Sequence, residues 1–547
     1  MISAAPRSWL PAAALDRAAL LVIVLVVAAA GLTFRDYGLG WDDFTHAQYG
    51  ELLLRLYGSG FSDQRALSFV NLYMYGGGFD MAAELLAKLV PLTVFETRRL
   101  TGALIGVIGL AATWRVARLV GGAMAGFLAV TLLAACPLFF GHMLMNAKDA
   151  PFAVAMIILL LGMVRVVSEY PRPDVASIAL LGLGLGLSIG SRTLAVLSGV
   201  PMLAAWMLLF ATDAKALGTG QAFARATRFF ARLLPGLLLA YALMGLLWPW
   251  SVQSPLNPWR ALIYFSHFFE APWRELFAGE LILVPDMPRS YVPTLFALRM
   301  PELFLALALA GALGALYAAA RRDLWPRERA LFLCVAITAI FPIALAVALR
   351  PAMYNGIRHF VFLLPPLAVL GGVAGAWLFA AASSRFQLGA PLAAVIFGIG
   401  GLPVIEMVRL HPYQYTYFNR LIGGVAGAQD RYMLDYWGLS FKQASQALAR
   451  WIAADRPPKP EGRRWKLAVC GPHRSAQVEL GPDFETTWDP QGADFAMMLG
   501  VFYCMEFNAP VIAEIRREGV LYARVYDIRG RTFPSLLKPY PGQSANP

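Results

Sequence analysis

The chain has 547 residues, 58% of them hydrophobic and only 15% charged, and its mean hydropathy is +0.58. That balance excludes an ordinary soluble multidomain protein, and the repeated apolar runs of spanning length define a polytopic α-helical membrane protein. The formal charge of +12 does not signal a nucleic-acid partner, because the basic residues lie in short loops between apolar runs, where they act as topology signals.

Arg7 and Arg17 precede the first apolar run and no clear small-residue cleavage site follows, so this run is expected to stay as an uncleaved first span. Eleven spans are predicted, near 17–35, 100–119, 122–140, 152–168, 176–190, 193–211, 230–250, 302–320, 330–349, 358–382 and 389–409. The stretch GLGLGLSIGSRTLAVL reads either as two of these or as one long broken segment. Its glycines suit helix packing; no soluble strand and helix surround them as a nucleotide loop requires. With the N-terminus inside, the even-numbered connections hold an excess of basic residues, among them Arg115, Arg118, Arg225 and Arg321. The odd span count then sends the C-terminal segment outside, together with the loop after the first span.

Two domains are expected. Residues 1–410 form the transmembrane domain with long outer loops at 36–98 and 251–301, and 411–547 form a small outer α/β domain with a disordered tail, KPYPGQSANP. In the first loop, ELLLRLYG and DMAAELLAKL are helix-like but too short to span, which suits helices lying along the interface. The second is rich in Trp, Phe and Pro, for which headgroup anchoring or the lining of a lipid or sugar groove are both open. In the outer domain, Leu439, Ala444, Leu448, Trp451 and Ile452 share one face of a helix that Ser440 would cap. KLAVCG, DFAMMLGVFYC and VLYARVYDI read as strands, and PPKPEG as a loop. Cys136 and Cys334 fall in apolar spans as packing residues, whereas Cys470 and Cys504 are candidates for a disulfide in an oxidising compartment. No Cys/His cluster has zinc-ligand spacing.

Directly after the first span comes YGLGWDDFTHAQY, with Asp42, Asp43 and, one helical turn on, His46. Carboxylates at a bilayer boundary are candidates for a general base or for holding a cation; the alternative is that one of them caps a short helix. The same outer face receives Asn146, Lys148 and Asp149 in MNAKDAPF, then Arg192, then Tyr354, Arg358 and His359 in YNGIRHF, and finally HPYQYTYFN with Tyr415. Singly each has a structural explanation, as a local pair, a snorkelling anchor or an aromatic belt. Together they fit transfer from a lipid phosphate: cations neutralise the phosphate, a carboxylate takes a hydroxyl proton, and aromatics hold a sugar and an acyl chain.

The ordered set of acidic pair, NxKDxPF turn, SYVPTLFALRMPELF, GIRHF and HPYQYTYFN resembles the C-type integral-membrane glycosyltransferases, in particular the bacterial protein-O-mannosyltransferase and lipid A aminoarabinose transferase group. The resemblance covers roughly residues 15–420, and DYWGLSFKQA is similar to the start of the outer domain in one bacterial subgroup. It implies a C-type glycosyltransferase fold, a polyprenyl- or dolichyl-phosphate sugar donor, inverting transfer, and Asp42 as catalytic base with Asp43 beside it. Arginine contacts to the donor phosphate are also implied, for which Arg192 and Arg358 are the candidates. The family commonly shows Asp-Glu where this chain has Asp-Asp, which leaves the part of the second acid open.

The expectation is therefore an inverting glycosyltransferase that moves a sugar from a polyprenyl phosphate to a hydroxyl of a glycan, lipid or protein, at the periplasmic face of a bacterial cytoplasmic membrane. Asp42 and Asp43 are its catalytic acids. Lys148, Arg192, Arg358 and His359 bind the donor phosphate, and His46, Asp149, Tyr354 and Tyr415 bind substrate. No cofactor is expected to be required; Asp43 and Asp149 would have to converge to hold a divalent cation. The rival is a transporter or flippase for a lipid-linked phosphate, which predicts internal repeats and charges near the midplane, whereas here the polar residues gather at one face.

Overall fold

The computed structural model describes residues 11–266, 273–385, 389–455 and 457–538. Arg7, most of HFFEAPW and nearly all of the expected disordered tail lie outside them. The first span is α1 (Ala12–Thr33), followed by two shorter helices, α2 (Asp43–Gly58) and α3 (Gly78–Ala87), where the two helix-like stretches were expected. Next comes α4 (Val94–Ala134), opened by a capping box in which Thr93 Oγ1 accepts from the Glu96 amide and the Glu96 carboxylate accepts from the Thr93 amide. Left-handed backbone at Gly122 (φ 84°) breaks this helix, so its two parts take the second and third predicted spans.

A short α5 (Pro137–Met145) leads into α6 (Asp149–Ser168), α7 (Val175–Ile189), α8 (Gly199–Leu217) and α9 (Thr219–Leu247). The glycine-rich stretch resolves into two segments, since α7 ends before Arg192 and a 3-10 turn over Thr193–Ser198 starts the next. Its glycines do bring helices close: a Cβ on Gly184 would lie 2.4 Å from Leu159 Cα in α6, and one on Gly182 would lie 2.3 Å from the Gly236 carbonyl in α9. The aromatic loop then folds as α10 (Asn257–Ser266), an antiparallel hairpin of β1 (Arg274–Phe277) and β2 (Glu280–Leu283), and α11 (Tyr291–Arg299). The remaining spans are α12 (Glu302–Ala320), α13 (Pro326–Leu349), α14 (Leu364–Arg385) and α15 (Gly389–Leu410). Among the described residues eight helices are long and apolar enough to cross a membrane, with α4 counted once. Divided at Gly122, and with the 15-residue α7 and the 22-residue α15 beside it, the set gives an element for every predicted span.

After a short α16 (Gly424–Ala428), the outer part consists of α17 (Phe441–Asp455), β3 (Trp465–Cys470), α18 (His473–Leu480), β4 (Phe484–Thr487), β5 (Phe495–Leu499), β6 (Val511–Arg517) and β7 (Val520–Asp527). The sheet order is β4-β3-β5-β7-β6, parallel across β4-β3-β5 and antiparallel across β5-β7-β6. The amphipathic α17 buries Phe441, Ala444 and Leu448 against it. The Ser440 hydroxyl donates to the Tyr522 carbonyl. Cys470 and Cys504 form the expected disulfide, and Cys136 and Cys334 are buried free thiols.

The membrane core does not stop where the last span ends. It continues through Tyr413, Tyr415, Tyr417, Phe418 and on to Leu439, whereas the core of the sheet begins at Phe441. Arg299, buried in α11, donates from Nε to the Tyr417 carbonyl (3.3 Å) and from Nη2 to that of Tyr415, and Asn419 Nδ2 donates to the carbonyls of Ala297 (2.6 Å) and Met300 (2.9 Å). The segment HPYQYTYFN is thus fastened to α11. From it, the chain carries residues 433–437 and the sheet over one face of the membrane part.

Candidate active site

A cavity of about 700 Å³ opens at that junction. The membrane part contributes Trp41, Asp42, Tyr75, Lys148, Arg192, Glu275, Tyr354, Arg358 and His359, and the C-terminal part covers them with Met433, Tyr436, Trp437, Phe502 and Tyr503. Asp42 caps the N-terminus of α2 by position, but its side chain makes no capping hydrogen bond. It stays 37% exposed, with Lys148 Nζ at 3.6 Å and Arg358 Nη1 at 3.9 Å from Oδ2. Both distances are attractive yet too long for a hydrogen bond, so the three groups surround a space instead of closing it. Burial pushes the Asp42 carboxyl up, and the two cations outweigh this and hold it below the ordinary carboxylate value.

Each cation is itself held. Arg358 begins a 3-10 turn, Arg358–Leu363, and its guanidinium lies 4.8 Å from the Tyr354 ring and 4.7 Å from the Trp437 ring, with Nε buried and unpaired. Lys148 lies 5.1 Å over the Tyr75 ring, and its ammonium is pushed below the usual lysine value by burial, with Asp42 opposing that shift. Arg192 reaches the cavity from the break after α7 while Nη2 pairs with Asp149 Oδ1 at 2.5 Å. Asn146 fixes the other Asp149 oxygen (2.8 Å), and its own carbonyl oxygen accepts from the amides of Lys148 (3.0 Å) and Asp149 (2.8 Å). The NxKD spacing therefore builds one tight turn that points Lys148 at Asp42 and uses Asp149 to hold Arg192.

Six of the expected residues meet here: Asp42, Lys148, Arg192, Tyr354, Arg358 and His359. Four others do not reach the cavity wall. Asp43 is buried and forms a bidentate pair with Arg99 (2.9 and 2.7 Å) while accepting from the Gly40 amide (2.7 Å). Asp149 is turned to Arg192 and Asn146. Tyr415 is fully buried and donates its hydroxyl to Asp435. His46 hydrogen-bonds Asp80 through Nδ1 (2.6 Å), and Asp80 also pairs with Arg98 at 2.5 Å. His46 instead lines a neighbouring cavity of about 310 Å³ whose wall is largely apolar and which shares Tyr75, Lys148 and Arg192 with the first.

Another apolar cavity, of about 380 Å³, shares Arg192, Tyr354 and His359 and runs along Leu197, Leu345 and Phe362. Among the described residues no three His, Cys, Asp or Glu side chains converge as metal ligands. Asp43 and Asp149, the pair considered for a cation, each already hold an arginine.

Glu275, Trp437 and the outer-domain pair Phe502 and Tyr503 were not foreseen. Glu275 sits in a stretch that reads as an aromatic loop. Trp437 was visible within DYWGLSFKQA, but nothing in the sequence brings it onto Arg358.

Residues 82–248 match the model of the dolichyl-phosphate-mannose-protein mannosyltransferase family, a stretch that holds Lys148, Asp149 and Arg192 and leaves Asp42 and Arg358 outside. No curated protein matches the chain by sequence. Among solved structures, ArnT from Cupriavidus metallidurans bound to undecaprenyl phosphate is similar at 16% identity over 92% of this chain and 97% of that one, with a TM-score of 0.47. The Archaeoglobus fulgidus oligosaccharyltransferase AglB, in complex with an inhibitory peptide and a dolichol phosphate, is similar at 13% identity over 83% of this chain and 62% of that one, with a TM-score of 0.46. The chain is a helical membrane protein with a small sheet domain at its C-terminus, and over 82–248 it is similar to the dolichyl-phosphate-mannose-protein mannosyltransferases. The protein-mannosyltransferase side of the resemblance read from the motifs is shown over that stretch.

Proposed function

We propose that the protein is an inverting glycosyltransferase that takes its sugar from a polyprenyl phosphate and passes it to a hydroxyl acceptor at the outer face of a bacterial cytoplasmic membrane. The observation that carries this reading is the open arrangement of one carboxylate between two cations, Asp42 with Lys148 at 3.6 Å and Arg358 at 3.9 Å, at the wall of a cavity that borders two apolar ones. A phosphate bearing a hydrocarbon tail fits it: the headgroup meets Lys148, Arg192 and Arg358, and the tail lies in an apolar cavity. Tyr354, Tyr436 and Trp437 supply flat faces for a sugar ring.

In the reaction, Asp42 takes the acceptor hydroxyl proton. The hydroxyl oxygen bonds to the anomeric carbon, and the bond from that carbon to the phosphate oxygen breaks with its electron pair staying on the lipid phosphate. One base suffices, because a phosphate stabilised by cations leaves without protonation. No metal step is needed: the acids other than Asp42 considered for a cation are occupied by Arg99 and Arg192.

The test uses the protein in lipid nanodiscs with a panel of polyprenyl-phosphate sugars, following release of free polyprenyl phosphate by mass spectrometry. One donor is expected to be cleaved by the wild type and spared by Asp42→Asn. Intact donors with both proteins, together with movement of a fluorescent lipid phosphate across the bilayer, would replace the transferase with a flippase.

A further inference from the structure

We propose that Glu275 is the positioning residue that sets Arg358 against Asp42, acting through the turn at Asn355 and Gly356. Glu275 lies on β1, is 3% exposed and lines the cavity. Its Oε2 accepts from the Asn355 amide at 2.9 Å, and its Oε1 accepts from the Gly356 amide at 3.3 Å and from the Tyr291 hydroxyl at 3.0 Å. Among the described residues no cation pairs with it directly, and burial raises its carboxyl above the ordinary glutamate value. A carboxylate buried without an ion pair is costly, and here two consecutive backbone amides and a tyrosine hydroxyl stand in for one.

Those amides belong to the turn that leads into Arg358. Asn355 and Gly356 are both left-handed, at φ 56° and 70°. Asn and Gly adopt this backbone more readily than other residues, so the turn forms easily here, and the bonds from its two amides to Glu275 fix its position against β1. Gly356 also cannot carry a side chain, since a Cβ there would lie 2.2 Å from Arg299 Nη1. The turn separates Tyr354 from Arg358, the ring and the guanidinium that stack at 4.8 Å beside Asp42. The same hairpin is tied to the covering segment, through a bridge from Phe277 to Tyr432 and a hydrogen bond from the Gly279 amide to the Arg431 carbonyl at 3.1 Å. That segment delivers Trp437 to Arg358, with the guanidinium 4.7 Å from its ring. Glu275 is thus where the aromatic loop, the arginine turn and the cover are joined.

The substitution Glu275→Gln keeps the shape but turns one acceptor into a donor facing an amide N–H. Serving the reaction proposed above, it is expected to lower turnover about 10- to 100-fold by displacing Arg358. Added to Arg358→Ala, the same change should cost less than about 2-fold, because its effect runs through Arg358. A merely structural role predicts equal losses in both backgrounds, and that result would overturn the proposal. Cryo-electron microscopy of Glu275→Gln in nanodiscs tests the geometry without any substrate: the Arg358 guanidinium should leave its place against the Tyr354 and Trp437 rings. If it stays, the positioning role is wrong whether or not the protein cleaves a donor. If it moves and no donor is cleaved by the wild type, it is the proposed reaction that fails. Tyr291→Phe removes one of the three hydrogen bonds to Glu275 and the bond that the Tyr291 hydroxyl accepts from the Gly356 amide at 3.0 Å, while leaving the carboxylate on both turn amides; it serves as a second variant should Glu275→Gln not fold, with the same dependence on Arg358.

Discussion

Asp42 and Asp43 are neighbours in sequence and opposites in surroundings. Asp43 has both oxygens on Arg99, takes the Gly40 amide as well, and is 2% exposed; Arg99 in turn donates to the Gly38 carbonyl. Asp42 has two cations at 3.6 and 3.9 Å and makes a hydrogen bond to neither. The same amino acid is a finished structural joint in one place and an unfinished charge cluster in the other. An ion pair already closed has nothing to offer a substrate, whereas cations held apart from a carboxylate leave room for a phosphate and a hydroxyl between them.

The largest effect on chemistry should therefore come from Asp42→Asn, with turnover of the donor reduced about 10²- to 10⁴-fold and the thermal midpoint in nanodiscs unchanged. The expectation for Asp43→Ala is reversed: leaving Arg99 buried without its partner costs about 3–5 kcal/mol, seen as a lowered midpoint and poor yield of folded protein. A stable Asp43→Ala protein with lost turnover would erase the distinction between the two acids. Between these extremes lies Arg358→Ala, expected to lower turnover about 10²-fold by removing one donor to the leaving phosphate. Lys148→Ala should act in the same direction, and a higher KM for the donor in both variants would place the phosphate between them.

The membrane architecture was legible because it depends on length and polarity. Each predicted span has a helix, and even the break at Gly122 follows a boundary that the apolar runs suggest. The site was legible in part, as the outer-face topology brought Asp42, Lys148, Arg192 and Arg358 into one group. Which members face the cavity was not legible, because that depends on pairing between distant segments: Asp43 with Arg99, His46 with Asp80 and Arg98, Tyr415 with Asp435. Arg98 and Arg99 stand in ETRRL at the start of a span, where snorkelling explains them equally well. Glu275 was hidden for a similar reason, since its partners are backbone amides some 80 residues away.

The smallest effects are those of pH, and they separate Asp42 from a third acid, Asp435. Asp42 is held low by Lys148 and Arg358, so it stays ionised through the neutral range, and turnover should stay level down to about pH 5. Asp435 is buried with no ion pair among the described residues, and its carboxyl is pushed up to about 6 by burial, opposed by hydrogen bonds from Ser440 and Tyr415. In the unfolded chain the same group titrates near ~4. Between those values the folded protein binds more protons than the unfolded one, so this group's contribution to stability falls as pH rises from about 4 to 6 and is level above that. Across this window the thermal midpoint of the wild type should fall relative to that of Asp435→Asn, while the acid limb of donor cleavage stays where it was. An acid limb near pH 6 that survives in Asp435→Asn would mean that the working base is a carboxylate without cation neighbours, and Asp42 in its present surroundings would no longer fit the part.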